Sequence, residues 1–159
     1  MIKYIGVGEC AVSVVPGEVL KTLALGSCVA VVAVSRKIPV AGLLHVQLPE
    51  SMINPALSRE KPGTFADTGV AVLLEDLYHQ GCNSKDIVIK LIGGAQVLDP
   101  NNVFSIGKRN YLAIKKWLWA KRLWPLAEDV GGTKSRSVTV TVGDEKIVIS
   151  SPGAEDWSI

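Results

Sequence analysis

The stretch Leu25-Gly26-Ser27-Cys28-Val29-Ala30-Val31-Val32-Ala33-Val34-Ser35 decides how this chain folds. After the connection Arg36-Lys37-Ile38-Pro39 comes a second such stretch, Val40-Ala41-Gly42-Leu43-Leu44-His45-Val46-Gln47-Leu48. Nearly continuous apolar, β-branched runs of this length are what a strand buried on both faces requires. The short connection between them predicts an antiparallel hairpin in the middle of a sheet.

Working outward, Gly6 to Val15 and Val19 to Leu25 read as strands, parted by Pro16-Gly17. Pro49 to Thr64, rich in Ser, Asn, Pro, Lys and Gly, reads as a long loop of the kind that often carries function. Val70, Leu73, Leu74 and Leu77 recur at helical spacing, predicting a helix over Phe65 to His79 that stops at Gly81. Ile87 to Ile92 reads as a strand. Ser105 is the expected cap of a second helix running to about Leu123, with Ile114, Trp117 and Leu118 as its buried stripe and a basic outer face. Leu126 to Val130 is a short strand, and Val138 to Val142 and Lys146 to Ser150 form a hairpin about Gly143-Asp144. Strands clustered at both ends around two main helices predict an α+β protein, a layered sandwich of mostly antiparallel sheet rather than a doubly wound one. At 159 residues we expect one domain over residues 1–150 with a tail over 151–159.

Composition excludes several classes. A net charge of +2 with 20% charged residues gives no electrostatic footprint for nucleic acid. The three cysteines, Cys10, Cys28 and Cys82, cannot all pair and lack metal-ligand spacing, so neither a complete disulfide framework nor a metal is expected. Met1 to Gly6 has no long apolar core of a secretion signal, and no apolar run reaches the roughly 18 residues of a membrane span. These features predict a soluble protein of a reducing, cytoplasmic compartment, without membrane insertion. The four tryptophans, Trp117, Trp119, Trp124 and Trp157, cannot all fit one helix stripe, so some aromatic surface should be exposed.

One cysteine and one of the two histidines fall on the central hairpin. Each alone reads as an ordinary core residue, since cysteine is among the most buried types. Together they invite a register argument. A two-residue loop at Arg36-Lys37 pairs Ser35 with Ile38, and counting back sets Cys28 opposite His45. Their Cβ atoms would then lie about 4.5–5.5 Å apart. One residue more in the loop would put them on opposite faces. Facing each other, they could form a thiolate–imidazolium pair for acyl transfer or amide hydrolysis. Thr22 is a candidate for orienting the ring, because the chain folds back at Gly26-Ser27. Gly26 permits a tight turn before the thiol, and the Ser27 or Cys28 amide is an oxyanion candidate. His79, Cys10 and Cys82 read as solvated or packing residues.

Six segments, in order, resemble the CheD family of chemoreceptor glutamine deamidases. They are Thr22 to Val29, Gly42 to Pro49, Lys61 to Thr68, Gly93-Gly94-Ala95, Ile106 to Asn110 and Ala127 to Ser137. The resemblance implies an α/β sandwich similar to toxins that deamidate glutamine. It implies Cys28 as nucleophile, His45 as general base and acid, Thr22 as the orienting group, and a thioester intermediate without cofactor or metal. The implied substrate is glutamine on the cytoplasmic helices of chemoreceptors. As an alternative or additional role, the resemblance implies stimulation of a CheC-type phosphatase of phosphorylated CheY. Cys10, where a bulkier residue is expected, and the tail from Ser150 to Ile159 depart from the pattern.

Overall fold

The structure is a computed structural model that describes residues 1–97 and 104–159. Among the described residues it is α+β, with two five-stranded sheets and three α-helices. The first sheet contains β1 (Ile2–Tyr4), β3 (Val19–Leu25), β8 (Arg136–Thr141), β9 (Val148–Ser150) and β10 (Trp157–Ser158), adjacent in that order. The second is ordered β2 (Cys10–Ser13), β5 (Ala41–Val46), β4 (Val29–Ser35), β6 (Ile87–Gly93) and β7 (Pro125–Val130). Both are mixed: β1 runs parallel to β3 and β7 parallel to β6, while the other pairings are antiparallel.

The layers explain the sequence pattern. Val29, Val31 and Ala33 of β4 pack with Val70, Leu73, Leu77, Ile114 and Leu118 beneath α2 (Ala66–His79) and α3 (Ile106–Ala120). Ala30, Val32 and Val34 of the same strand pack with Leu20, Val138 and Val140 of the other sheet. Strand β4 is therefore central and covered on both faces, which is why it carries no polar alternation. Strand β8 packs one face, through Val138 and Val140, against the other sheet, and its buried positions alternate with partly exposed ones, as a half-covered strand demands.

Three expectations are corrected. The segment from Pro49 to Thr64 is not a structureless loop: it holds a 3₁₀ turn at Ser51–Ile53, helix α1 (Pro55–Glu60) capped by the Asn54 side chain, and a second 3₁₀ turn at Pro62–Thr64. Residues 2–4, not read as a strand, form β1, and Ile5 continues its pairing through a bond from its N–H to the Lys21 carbonyl (2.8 Å). Ser105 stands at the cap position of α3 but has φ 52° and makes no side-chain capping bond. Near the C-terminus the chain pairs with the first sheet: Trp157 and Ser158 pair with β9, and Ile159 bonds Ile147 in both directions. Lys90, buried in β6, donates to the carbonyls of Glu145 and Ile159 at 2.6 and 2.8 Å. Trp119 and Trp124 form an exposed edge-to-face pair, in line with the expected aromatic surface.

Candidate active site

The β4–β5 hairpin places Cys28 and His45, but not by the register expected. Its connection is four residues long, with the Ser35 N–H bonded to the Val40 carbonyl, so Ala30 rather than Cys28 lies opposite His45. The slip is two positions, an even number, and an even slip keeps the face. His45, opposite Ala30, faces Thr22 of the other sheet, and Cys28, two residues before Ala30, packs against the same core between the sheets. Diagonal neighbours of this kind are about 7–8 Å apart at the backbone, and no hydrogen bond joins Cys28 to His45 among the described residues. Nε2 of His45 is buried and has no hydrogen-bond partner among the described residues.

Thr22 meets the other side of the ring. Its Oγ1 lies 2.8 Å from His45 Nδ1 and 2.7 Å from the Ile5 carbonyl oxygen. A carbonyl only accepts, so the single hydroxyl proton goes to Ile5, and Oγ1 must accept from Nδ1–H. The imidazole is thus held as the Nδ1–H tautomer, with the Nε2 lone pair free. Thr22 and His45 are 1% and 3% exposed, so water does not compete for this arrangement.

Strand irregularity delivers Thr22 to the ring. Between Thr22 and Leu25 the β3–β8 register shifts by one residue, and Ala24 there takes φ 53° with its N–H on Ser137 Oγ at 3.0 Å. The bulge lets both Thr22 and Leu25, an odd number of residues apart, point inward.

Burial disfavours the charged form of both groups. Burial pushes the His45 imidazole down to about 4, with the Glu9 carboxylate opposing and Lys61 reinforcing the shift. Burial pushes the Cys28 thiol above its ordinary range, offset in part by its own backbone N–H. Removing both groups from water penalises the charged forms that the ion pair expected from the sequence requires.

Cys28 opens onto a pocket of about 530 Å³ whose walls include Ala24, Gly26, Ser27, Ala95, Phe104 and Ile106. The Ser27 and Cys28 amides enter no backbone hydrogen bond among the described residues, whereas the Gly26 and Cys28 carbonyls are taken by the amides of Ala95 and Gly94, each at 2.8 Å. The turn is anchored through its carbonyls, and Ser27 and Cys28 keep N–H groups beside the sulfur. A larger cavity of about 580 Å³ lies elsewhere, against Glu9, Cys10, Lys61, Asp76 and His79. Burial and Asp76 push the Cys10 thiol to about 12, which leaves it unreactive at neutral pH. Among the described residues, no three His, Cys, Asp or Glu side chains converge as metal ligands would.

A two-sheet α+β sandwich carrying a pocket thiol and, on the same inner face, a neutral imidazole of fixed tautomer has the equipment of a thiol-dependent amide hydrolase. Comparison with known proteins is specific. Residues 47–151 match the family described as CheD chemotactic sensory transduction. The chain is 45% identical over 157 residues to the probable chemoreceptor glutamine deamidase CheD of Syntrophotalea carbinolica, covering 98% of this chain and 97% of the relative. It is 42% identical to the probable deamidase of the same name from Solibacter usitatus, over 95% of this chain and 89% of that one. It is 39% identical to the chemoreceptor glutamine deamidase CheD of Thermotoga maritima, over 96% and 94%. The chain belongs to the CheD family. Thr22, Cys28 and His45 precede the residues matched by the family description and lie within the near full-length likeness to the relatives.

Proposed function

We propose that this protein hydrolyses the side-chain amide of glutamine on chemoreceptors, giving glutamate and ammonia, with Cys28 as nucleophile, His45 as base and acid, and Thr22 as the residue that fixes the imidazole. The observation that carries the reading is the Thr22–His45 bond. It leaves a bare, buried Nε2 on the face that also holds the pocket thiol. The family membership supplies the substrate class, through the relatives' names.

The chemistry follows from neutral partners. As the carboxamide enters the pocket, Nε2 takes the Sγ–H proton and sulfur attacks the carboxamide carbon. The new oxyanion is met by the amides of Ser27 and Cys28, with Gly26 shaping the turn that presents them. The imidazolium returns its proton to the amide nitrogen, the C–N bond breaks, and ammonia leaves a thioester. Water, deprotonated by Nε2, attacks the thioester and releases glutamate and the thiol. The low proton affinity of His45 suits the acid step, since a weakly held proton transfers readily to an amine.

Receptor helices are the proposed protein partner, in the cytoplasm where their glutamines lie. Among the described residues, no helix is long and apolar enough to cross a membrane. A CheC-type phosphatase as second partner is supported by the family resemblance alone. The test is intact mass of a receptor cytoplasmic fragment incubated with the protein. Conversion of NH₂ to OH at glutamine, lost in Cys28→Ala, is expected. Receptor mass unchanged across several receptors would sink the reading, and pull-down of a CheC-type protein by Cys28→Ala would then favour a purely binding role.

A further inference from the structure

Asn110 is fully buried in the second turn of α3 (0% exposed), and both hydrogens of its Nδ2 are engaged. One goes to the Ser27 carbonyl at 3.0 Å and the other to the Gln47 carbonyl at 2.9 Å. These carbonyls belong to the two segments that carry the site. Ser27 directly precedes Cys28, and Gln47 lies two residues beyond His45. The β4–β5 ladder ends at Val29 and Val46, so the two carbonyls stand just past the last strand pairing. We infer that Asn110 is a positioning residue, which bridges the open end of the hairpin and sets the spacing of Cys28 from His45. This rests on the proposed roles of those two residues.

The choice of side chain fits that task and little else. Two carbonyl oxygens facing one nitrogen need two hydrogens on a neutral group, which an amide supplies. A hydroxyl has one proton to give, a carboxylate has none and repels both carbonyls, and an ammonium would bury a charge. Asn110 Oδ1 is buried without a partner among the described residues. An orphaned buried acceptor is destabilising, so an apolar residue would suit the helix core better unless the bridge mattered. The helix is also held tightly enough to act as a ruler. A Cβ on Gly107 would sit 2.5 Å from the Gly94 carbonyl oxygen, so α3 begins pressed onto the turn whose amides grip Gly26 and Cys28.

The test uses Asn110→Asp, which removes both donors at constant size, and Asn110→Ser, which keeps one. Each is read by deamidation kinetics and by the pH profile of Cys28 alkylation with iodoacetamide, which needs no substrate, alone and with His45→Ala. With cooperative unfolding retained, kcat should fall ~10- to 100-fold in Asn110→Asp and less in Asn110→Ser. KM should stay unchanged, because Asn110 is not on the pocket wall. The effect of His45→Ala on the alkylation profile should shrink in the Asn110→Asp background. Unaltered kcat, a loss carried by KM, or a loss that only tracks unfolded protein would overturn the inference. If the wild type deamidates no receptor, yet its alkylation depends on His45 and that dependence weakens in Asn110→Asp, then the positioning role stands and the deamidase reading fails.

Discussion

Thr22 Oγ1 accepts the Nδ1 proton of His45 at 2.8 Å while its own proton is committed to the Ile5 carbonyl. The pair is built from three segments: β3 brings the hydroxyl, β5 the ring, and Ile5, just past β1, the carbonyl that decides which way the hydroxyl points.

Thr22→Val removes the acceptor for Nδ1–H and leaves the Ile5 carbonyl unpaired, whereas Thr22→Ser keeps both bonds. We expect kcat to drop by at least ~100-fold in Thr22→Val, by the logic of a ring freed into the wrong tautomer, and to stay near wild type in Thr22→Ser. Steady-state deamidation by ammonia release checks this. Equal losses in the two variants would mean that the methyl group, not the hydroxyl, is what the site needs.

The raised Cys28 and lowered His45 proton affinities predict a thiol that reacts slowly at neutral pH without substrate. Alkylation by iodoacetamide, followed by mass, should rise in one step above the ordinary thiol range. A resting thiolate–imidazolium pair would instead give a reactive plateau extending to acid pH. The two curves differ in shape as well as midpoint, so one pH series separates them.

Much of this was legible beforehand, and the failures have physical causes. The double-sided burial of β4 shows in its unbroken apolar run from Val29 to Val34, because no polar residue survives there. Cys28, His45 and Thr22 stood out through residue type and family resemblance. The hairpin register did not, because Arg36-Lys37-Ile38-Pro39 carries no Asn-Gly or Asp-Gly to fix a two-residue turn, and Ile38-Pro39 belongs to the turn. Strand β1 escaped because its three residues are all exposed and show no inward face. Asn110 carries a sequence signal of its own: it is a polar residue on the same helical stripe as Gly107, Ile114 and Leu118.

Gly93 has φ 116°, and a Cβ there would lie 2.4 Å from the Cys28 carbonyl oxygen. Gly93→Ala therefore incurs both left-handed strain and a backbone clash at the nucleophile's own residue. We expect a loss of about 2–4 kcal/mol in urea unfolding, with slower deamidation by the folded remainder. Gly143→Ala is the control: its φ is 97° but nothing lies within 4 Å, so it should carry the strain without the clash and leave kcat unchanged. If Gly93→Ala lost stability but kept full kcat, the contact would matter to folding alone.

The buried imidazole also predicts how stability follows pH. In the unfolded chain His45 titrates near 6.5; in the fold, burial and Lys61 lower this to about 4 against the pull of Glu9. Between those values the unfolded chain binds a proton that the native one does not, so stability must fall as pH drops through that window. Below about 4 both forms are protonated and the slope from this group vanishes. A shift of that size corresponds to on the order of 3 kcal/mol. Urea unfolding from pH 7 to pH 4 should therefore show a steeper loss in wild type than in His45→Gln, which cannot titrate there. The difference should close above pH 7. Parallel curves would mean that the ring is protonated in the native state with little penalty, and the neutral Nε2 base would go with it.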